Sequence, residues 1–399
     1  MTWSDDELDA FVDNVDHHDP RFIEDPHPVY RALRERCPVA HSDRYGGFWL
    51  ITRYEDVRAA AKDWQTFTSS VPNVTAIPSS HPREEPDLPI EIDPPLHTRY
   101  RQLVAPVFTR PFVESFEPRI RLIATGLIER IVETGGGDLV SGFAVPLSVG
   151  TLATFMGLPD EDHSRWVSWV RRMYDPSDQE GAREAGLEYF DYIDALVAER
   201  RARPTDDFIS MLLDSEVKGE QLRALEVSRF MRVLLIAGHE TTAAAMSFAL
   251  HYLAEHAEEW RRLVDDRSLI PGAVEEFLRL SSTVTLQARN ATRDLAFRGA
   301  AISEGDVVAL LFPSANHDET VFVEPERCVL DRSPNRHVAF GFGPHVCLGA
   351  HVARLELRIM LDEFAERIPV FCVAPGEQAR WNSTGSVRGL ANLRVLVSS

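Results

Sequence analysis

The sequence predicts a mainly α-helical protein with a minor β portion. Helical periodicity dominates from Pro111 to Ile209, and it is interrupted only at points rich in glycine or proline. A second stretch, Glu226 to Arg262, contains no proline and has strong helical content. It predicts one very long helix that crosses the molecule. After Arg289 the pattern changes to short apolar segments between turn residues, which is typical of short strands.

The other elements follow in chain order from the same rules. The predicted helices are Pro28–Arg36, Glu55–Lys62 and Ala350–Ile368, and the predicted strands are Val39–His41, Phe48–Thr52, Leu295–Ile302 and Val307–Leu311. Breaks in the first helical region are expected at Gly135-Gly136-Gly137, Gly157-Leu158-Pro159 and Arg203-Pro204. No internal repeat is present. The length allows one large domain or two smaller ones, and we expect a single domain over residues 1–399. Its β-rich part is expected mainly at 36–70, 285–330 and 370–399, with helices in the rest.

The segment from Pro72 to Pro95 contains seven prolines and no helical pattern. An interdomain linker is one interpretation of such a composition. We favour a long surface loop, and long ordered loops are often functional lids.

Composition excludes several classes of function. The net charge of −20 argues against nucleic acid or an anionic membrane as a partner of the general surface. No apolar run approaches the length of a membrane span, and the acidic N-terminus has no signal-peptide pattern. A cytoplasmic protein is therefore expected. The four cysteines are widely spaced and form no CxxC pair, which argues against a zinc site or a disulfide framework.

A glycine-rich loop with one cysteine precedes the last long helix. Its glycines let the backbone close around a bulky flat partner without Cβ clashes. The cysteine stands beside a helix N-terminus, where free N–H groups and the helix dipole favour an anion. A metal-binding thiolate is therefore expected, with an inert buried cysteine as the alternative for this residue taken alone. The loop reads Phe340-Gly341-Phe342-Gly343-Pro344-His345-Val346-Cys347-Leu348-Gly349.

This order, F-G-x-G-x-H-x-C-x-G, resembles the haem-binding loop of the cytochromes P450 with no departure. The resemblance implies the P450 fold over essentially the whole chain and haem b (iron protoporphyrin IX) as cofactor. It implies that Cys347 is the thiolate ligand of the iron, a ligand type that favours O–O cleavage. Phe340, Gly341 and Gly349 are implied to be cofactor-binding. The chain resembles the soluble bacterial type, which takes electrons from a separate ferredoxin and ferredoxin reductase.

An acid–alcohol pair lies in the middle of the long predicted helix, in Ala237-Gly238-His239-Glu240-Thr241-Thr242. The segment resembles the P450 motif A-G-x-[DE]-T. The resemblance assigns Thr241 to hydrogen-bond dioxygen and Glu240 to relay protons, and it places Ala237 and Gly238 against the haem. We expect Gly238 to leave room for oxygen and substrate, and the threonine hydroxyl to bend the helix locally. A helix-packing glycine beside surface polar residues is the alternative.

Two further sets of residues match the same family. Glu276 and Arg279 form an E-x-x-R pair, with Arg332 as the implied third member, and we interpret all three as structural. Asp93-Pro94-Pro95-Leu96-His97-Thr98-Arg99-Tyr100-Arg101 resembles the family's D-P-P-x-H-x-x-x-R. It implies that the haem propionates are bound by His97, Arg101, Arg289 and His345.

The resemblance also predicts a substrate pocket, roofed by the loop of residues 72–95 and the region of residues 165–192. Its predicted walls are small or apolar, which suits a small to medium hydrophobic substrate, with a terpenoid favoured and aromatic or fatty-acid substrates as alternatives. The wall residues are Leu234, Ala237, Gly238, Val284, Thr285, Leu286, Ser386 and Val387.

The leading functional hypothesis is a monooxygenase that uses O2 and electrons from NAD(P)H through a ferredoxin. The docking face of that partner is expected near Arg336, His345 and Arg354. A peroxide-driven peroxygenase or an isomerase of the same fold is the second hypothesis. The presence of Glu240 and Thr241 argues against it, because some P450s that bypass oxygen activation have lost this pair. A non-catalytic haem sensor is the third.

Overall fold

The computed structural model describes residues 3–78, 84–159, 162–173 and 178–398. The helices in these ranges are α1 (Asp5–Val12), α2 (Pro20–Glu24), α3 (His27–Arg36), α4 (Tyr54–Lys62), α5 (Leu96–Val104), α6 (Arg110–Glu114), α7 (Glu117–Glu133), α8 (Val145–Met156), α9 (His163–Met173), α10 (Gln179–Ala202), α11 (Phe208–Leu213), α12 (Ala224–Glu255), α13 (Ala257–Asp265), α14 (Ile270–Ser281), α15 (Phe312–Asn316) and α16 (Ala350–Arg367).

The strands are short. They are β1 (Val39–Ser42), β2 (Phe48–Ile51), β3 (Phe67–Thr68), β4 (Gly136–Asp138), β5 (Glu216–Val217), β6 (Glu220–Gln221), β7 (Gln287–Ala291), β8 (Leu295–Phe297), β9 (Ala300–Ile302), β10 (Val307–Leu310), β11 (Val370–Val373), β12 (Arg380–Ser383), β13 (Arg388–Asn392) and β14 (Arg394–Ser398). The predicted class, mainly α with a minor β portion, is confirmed. That the chain forms a single domain stays a prediction.

Helix α12 is the central element of the fold. It packs against α8, α10, α14 and α16, and many of its apolar residues are fully buried. Among the described residues it is also the one helix long and apolar enough to cross a membrane, but 56% of that window is buried inside the protein. Burial of this kind is what a core helix shows.

The prediction of one helix from Glu226 to Arg262 is wrong at its C-terminal end. Helix α12 ends at Glu255, and His256 takes non-helical angles of φ −118° and ψ 71° before α13 begins. The His256 ring stacks on Tyr252 at 3.9 Å, and both its backbone N–H and its Nδ1 contact the Tyr252 carbonyl. The break therefore comes from a side chain that caps the last turn, which needs neither proline nor glycine.

The largest sheet has five strands in the order β1-β2-β10-β7-β3. Strand β10 is parallel to β2 and antiparallel to β7, and this pairing sets Val308 opposite Arg289. A second sheet has the order β11-β14-β4. The predicted strand Leu295–Ile302 is instead the hairpin β8–β9, because Arg298 and Gly299 have positive φ and turn the chain.

The predicted loop of residues 72–95 forms no helix or strand in its described parts, 72–78 and 84–95. Hydrogen bonds to a carboxylate of the loop itself, Glu91, nevertheless join its described parts. The fully buried Glu91 accepts hydrogen bonds from Thr75 Oγ1 at 3.3 Å and from the Asp87 N–H at 2.8 Å. Residues 79–83 of this predicted roof, and 174–177 of the other one, lie outside the described residues.

Candidate haem and oxygen site

The loop of residues 340–349 is a sequence of tight turns held by its own backbone. The Cys347 N–H donates to the Phe340 carbonyl at 2.7 Å, and the Gly341 N–H donates to Val338 at 2.9 Å. Gly341 and Gly343 both have a φ of +75°, which favours glycine. At Gly343 a Cβ would also lie 2.5 Å from the Ala61 carbonyl oxygen, so this loop closes directly on α4.

Cys347 stands two residues before Gly349, which caps the N-terminus of α16. Protein atoms lie close around the thiol, yet the residue keeps accessible surface. Burial raises the pKa of this thiol, opposed by the Gly349 N–H and the charges of Arg101 and Arg354. Burial therefore opposes the effect of the helix terminus, and the metal-binding thiolate stays a prediction. A cationic metal centre would remove the proton, because coordination deprotonates a thiol outright.

Four predicted propionate-binding residues are brought together beside this loop. The rings of His97 and His345 lie 4.1 Å apart, and the Arg101 guanidinium donates to the Val346 carbonyl at 2.7 Å. Arg289 is 5% exposed, and its guanidinium donates to the Ala288 carbonyl at 2.7 Å. Burial lowers its pKa to about 10, so it remains a cation at neutral pH.

The two histidines differ from the two arginines in charge. Burial, and next the nearby charge of His345, lower the pKa of His97 to about 3. Burial also lowers the pKa of His345, although Asp93 acts in the opposite direction. At neutral pH the protein therefore presents these imidazoles as neutral hydrogen-bonding groups, and the positive charge of the cluster comes from Arg101 and Arg289.

Asp93 is a site residue that the sequence analysis did not assign. Its Oδ1 lies 3.7 Å from His345 Nε2 and accepts the Ser69 N–H at 3.1 Å, and Thr68 donates to its Oδ2. Burial would raise the pKa of this carboxyl, but the hydrogen bonds from His345, Thr68 and Ser69 outweigh it and lower the pKa. The signal was present, because Asp93 begins the D-P-P-x-H segment.

These residues fit a haem. The described cluster holds two arginines but one carboxylate, Asp93, and the buried His97 Nδ1 has no hydrogen-bond partner among the described residues. A ligand with two carboxylates would satisfy both observations. The Cβ of a side chain at Gly349 would lie 4.0 Å from Cys347 Sγ, so a glycine there leaves one flank of the sulfur uncovered. Cys347 would hold the iron, and Arg101, Arg289, His97 and His345 would hold the propionates.

The acid–alcohol pair lies on α12 as predicted. Thr241 Oγ1 donates to the Ala237 carbonyl at 2.8 Å, and α12 is helical throughout this segment, so the expected local bend stays a prediction. Leu234, Ala237 and Thr241 lie on one face and keep accessible surface. His239 is buried on the opposite face, with Nδ1 2.6 Å from the Leu235 carbonyl.

The contacts of Gly238 support the alternative of a helix-packing glycine. A Cβ at this position would lie 2.8 Å from Leu152 Cδ1 of α8, and the Gly238 and His239 carbonyls accept hydrogen bonds from Ser148 Oγ. The glycine therefore permits close contact between two helices, and its role in leaving room for oxygen and substrate stays a prediction.

Five of the eight predicted pocket-wall residues keep accessible surface. Thr285, Leu286 and Val387 are buried, and Leu286 belongs to a core cluster with residues of the N-terminal helices, so it does not line a pocket. The Thr285 hydroxyl donates to the Gly385 carbonyl at 2.9 Å, and Val284 pairs with Val387 in an isolated bridge. The predicted wall residues with accessible surface are Leu234, Ala237, Gly238, Val284 and Ser386.

The three predicted structural residues form one buried network. Arg279 donates two hydrogen bonds to Glu276, at 2.8 and 2.9 Å, and Arg332 Nε donates to the same carboxylate at 3.0 Å. The Glu276 side chain and the Arg279 side chain are both 0% exposed. The Arg279 guanidinium also donates to backbone carbonyls of the segment that leads to the Cys347 loop.

The predicted docking face is changed by the structure. The His345 side chain is 8% exposed and faces Asp93, so it is not a surface cation. Arg354 donates to Glu275 at 2.7 and 2.8 Å and lies over the Phe340 ring, so its charge is largely neutralised. Arg336 remains exposed, and within the described part of the chain its guanidinium has no ion pair.

Comparison with known proteins gives one consistent family. The family model described as cytochrome P450 matches residues 165–372. A polyketide-biosynthesis cytochrome P450 of Bacillus subtilis is 35% identical, over 96% of this chain and 98% of the relative. The mycinamicin IV hydroxylase/epoxidase of Micromonospora griseorubida is also 35% identical, over 92% and 94%. A cytochrome P450 from Bacillus megaterium, solved with testosterone, has a TM-score of 0.85 at 30% identity, over 95% of this chain and 100% of that one.

The helical fold and the cysteine loop beside a cationic cluster define a haem-thiolate protein. The chain belongs to the cytochrome P450 family. It is therefore a haem b oxidoreductase of the monooxygenase type, which uses O2 and a small-molecule substrate.

Proposed function

We propose that this enzyme inserts one atom of O2 into a hydrophobic, terpenoid-like substrate. The second oxygen atom leaves as water, which takes two electrons from NAD(P)H and two protons. The observation that carries the proposal is the accessible Cys347 before the N-terminus of α16, beside the two arginines that suit the haem propionates. The bound haem supplies oxygen activation; the residues of this chain supply the site in which it occurs.

An apolar substrate is supported by the accessible wall residues. Leu234, Ala237 and Val284 offer only apolar surface, and the hydroxyl of nearby Thr285 is committed to the Gly385 carbonyl. A macrolide-like polyketide is the second candidate, because relatives are named for polyketide biosynthesis and for mycinamicin IV. A structural neighbour was solved with testosterone, which favours a polycyclic terpenoid-derived skeleton. Titration with testosterone and with a macrolide, followed by the blue shift of the main haem absorption band, distinguishes the two classes.

The proposed role of Thr241 and Glu240 is proton delivery. A hydroxyl on the accessible face of α12 can hold a proton donor in an otherwise apolar cleft, and the neighbouring half-buried carboxylate can resupply the proton from solvent. The Ala237 carbonyl orients the hydroxyl, because Thr241 Oγ1 donates to it at 2.8 Å. The oxygen lone pairs of the hydroxyl then remain free to accept.

Thr241→Ala is expected to uncouple the reaction. NADH oxidation should continue, but product formed per NADH should fall by roughly tenfold or more, since a positioned proton donor contributes at least that much. Hydrogen peroxide should appear in place of the missing product. Product and peroxide are measured in the same reaction, with testosterone as substrate if it binds.

Thr241→Ser retains a hydroxyl and should restore most of the coupling. The matched control is Thr242→Ala, which removes the next hydroxyl along α12, on a buried side chain that the proposal does not use. If Thr241→Ala remains fully coupled with NADH, the proton-delivery assignment is wrong. If only added peroxide supports product formation in the parent enzyme, the peroxygenase alternative holds instead.

The proposed electron donor is a ferredoxin reduced by a ferredoxin reductase, in the cytoplasm. We place its docking face on the side of the Cys347 loop that carries Arg336. This side chain is exposed, and the residue is fixed by Tyr54 Oη, which donates to the Arg336 carbonyl at 2.5 Å. On a protein of net charge −20, a local cation steers an acidic partner against general repulsion.

Arg336→Glu is expected to slow reduction by ferredoxin by roughly tenfold at low salt and to flatten its salt dependence, because the attraction is screened by ions. The measurement is the reduction rate at several ionic strengths, with a plant-type [2Fe–2S] ferredoxin as a defined acidic donor. The control variant is Arg203→Glu, which reverses the charge of another exposed arginine, directly after α10. Equal rates in the Arg336 and Arg203 variants would contradict this docking face.

A further inference from the structure

One arginine on α12 has a buried donor without an acceptor. The Arg229 side chain is 12% exposed, and its Nη1 donates to the carboxylate of Glu85. Its Nη2 is buried and has no hydrogen-bond partner among the described residues. A guanidinium nitrogen only donates, and a buried donor that stays unsatisfied is costly. The group therefore calls for an acceptor that this part of the chain does not supply.

Arg229 differs in this respect from the other arginines of the described chain that keep such an N–H, at Arg58 Nε and Arg232 Nε. Both of those guanidinium groups lie over an aromatic ring, 4.4 Å from the centre of Phe342 and 4.4 Å from the centre of Phe190 respectively. The face of a ring attracts the cation and acts as a weak acceptor for its N–H groups. Within the described ranges no ring lies over Arg229, so its Nη2 lacks even this compensation.

Arg229 lies on the row of α12 residues that leads to the proposed oxygen site. Residues four apart on a helix form a continuous ridge. One such ridge keeps accessible surface at each of four successive positions, which are Arg229, Val233, Ala237 and Thr241. The next residue of the row, Ala245, is buried. At a rise of about 1.5 Å per residue, Arg229 and Ala237 are separated by about 12 Å along the helix axis.

The charges around Arg229 are already balanced. Glu85 pairs with its guanidinium, and the nearby Glu226 accepts from Arg223 Nε at 3.0 Å and from the Tyr100 hydroxyl at 2.9 Å. Burial, and next the hydrogen bond to Glu226, raise the pKa of Tyr100 to about 12, and the charge of Arg229 acts against them. These groups are therefore within electrostatic reach of one another. A ligand carboxylate would add a third negative charge here, whereas a neutral oxygen would add none.

We propose that Arg229 is a specificity-determining residue, which donates a hydrogen bond from Nη2 to a neutral oxygen at the end of the substrate remote from the iron. The substrate is then an apolar skeleton with a carbonyl, amide or hydroxyl oxygen about 12 Å from the carbon that lies beside Ala237. This contact decides which end of an elongated molecule reaches the iron. The inference rests on the proposed function, because it takes the site between Cys347 and α12 as the place where the substrate binds.

The test uses azoles whose imidazole binds the haem iron, so that one end of each ligand is fixed. The probes are N-decylimidazole, its analogue with a terminal carboxamide and its analogue with a terminal carboxylate. Dissociation constants are read from the shift of the main haem absorption band. The ratio of the decylimidazole constant to the carboxamide constant should fall by about tenfold in Arg229→Met, which loses one hydrogen bond to the amide oxygen.

Two further variants separate this contact from general effects on α12. Arg229→Lys keeps a donor and should keep part of the preference for the carboxamide. Arg232→Met is the matched control, because it makes the same change one turn further along. The Arg232 guanidinium donates to Asp194 at 2.6 Å and lies over Phe190, both on α10, so the ratio of the two constants should not change.

An unchanged ratio in Arg229→Met would overturn the inference, and so would an equal fall in Arg232→Met. Equal weakening of all the azoles would also overturn it, because Arg229 would then support the haem or the fold. Tighter binding of the carboxylate than of the carboxamide by the parent protein would overturn the choice of a neutral oxygen. In each of these cases the thiolate-type spectrum and the proposed function stand. If no azole shifts the haem band of the parent, the proposed function fails, and the inference fails with it.

Discussion

Replacing Cys347 with serine is expected to abolish product formation, by on the order of 10³-fold or more, as removal of an essential catalytic group does. A serine hydroxyl does not ionise near neutral pH, so it cannot supply the charged, polarisable ligand that a thiolate gives to haem iron. The fold should be kept. The hydrogen bond from residue 347 to the Phe340 carbonyl belongs to the backbone, and serine differs from cysteine by one atom.

The decisive measurement is the absorption spectrum of the reduced carbon monoxide adduct, read beside circular dichroism of the same sample. The Cys347→Ser protein should lose the long-wavelength band of a thiolate ligand and keep its helical content. Cys372→Ser is the matched control, because Cys372 is an exposed cysteine on β11. A thiolate-type band that survives in Cys347→Ser, or that disappears in Cys372→Ser, would contradict the assignment of the ligand.

The sequence predicted the residues of the site better than the reasons for them. The order of glycines, His345 and Cys347 marks a short loop whose geometry is local, so its residues can be identified without a structure. The ionisation of Cys347 cannot be predicted in this way, because burial in the folded protein raises the pKa of its thiol. Gly238 shows the same limit, since its neighbour Leu152 comes from another helix.

Long-range partners are the part that no local pattern contained. Asp93 contacts His345 across the fold. His17 and His18 both hydrogen-bond to the carbonyl of Ile77, about sixty residues further along the chain. The end of α12 was also missed, because His256 caps the helix with its own side chain instead of a glycine or a proline. Helix periodicity and motif spacing are properties of neighbouring residues, whereas these contacts depend on which faces meet.

The buried carboxylate of Glu276 is the basis of the second large prediction. Glu276→Ala should lower the free energy of unfolding by about 3–5 kcal/mol, since it leaves two buried guanidinium groups without their shared acceptor. Burial would raise the pKa of this carboxyl, but the hydrogen bonds from Arg279, Val329 and Arg332 outweigh it and lower the pKa. The carboxylate is thus charged in the folded protein. Its removal leaves the positive charges of Arg279 and Arg332 without their negative partner.

The measurement is urea unfolding with the slope held common to both proteins. The matched control is Glu324→Ala, which removes an ion pair with Arg327 from the same region. The two side chains of that pair are more than half exposed, so its loss should be small. If both variants lose the same free energy of unfolding, burial does not account for the stabilising effect of the Glu276 network.

The effect of Glu276→Ala should also reach the haem. Arg279 Nη1 donates to the Asn316 carbonyl at 2.9 Å, and the Asn316 side chain accepts the Val338 N–H at 2.7 Å. Val338 in turn accepts the Gly341 N–H of the cysteine loop at 2.9 Å. A continuous chain of hydrogen bonds therefore joins the buried carboxylate to the turn that carries Cys347. We expect the variant to lose haem at urea concentrations below its unfolding midpoint, whereas the Glu324→Ala protein should lose haem and fold together.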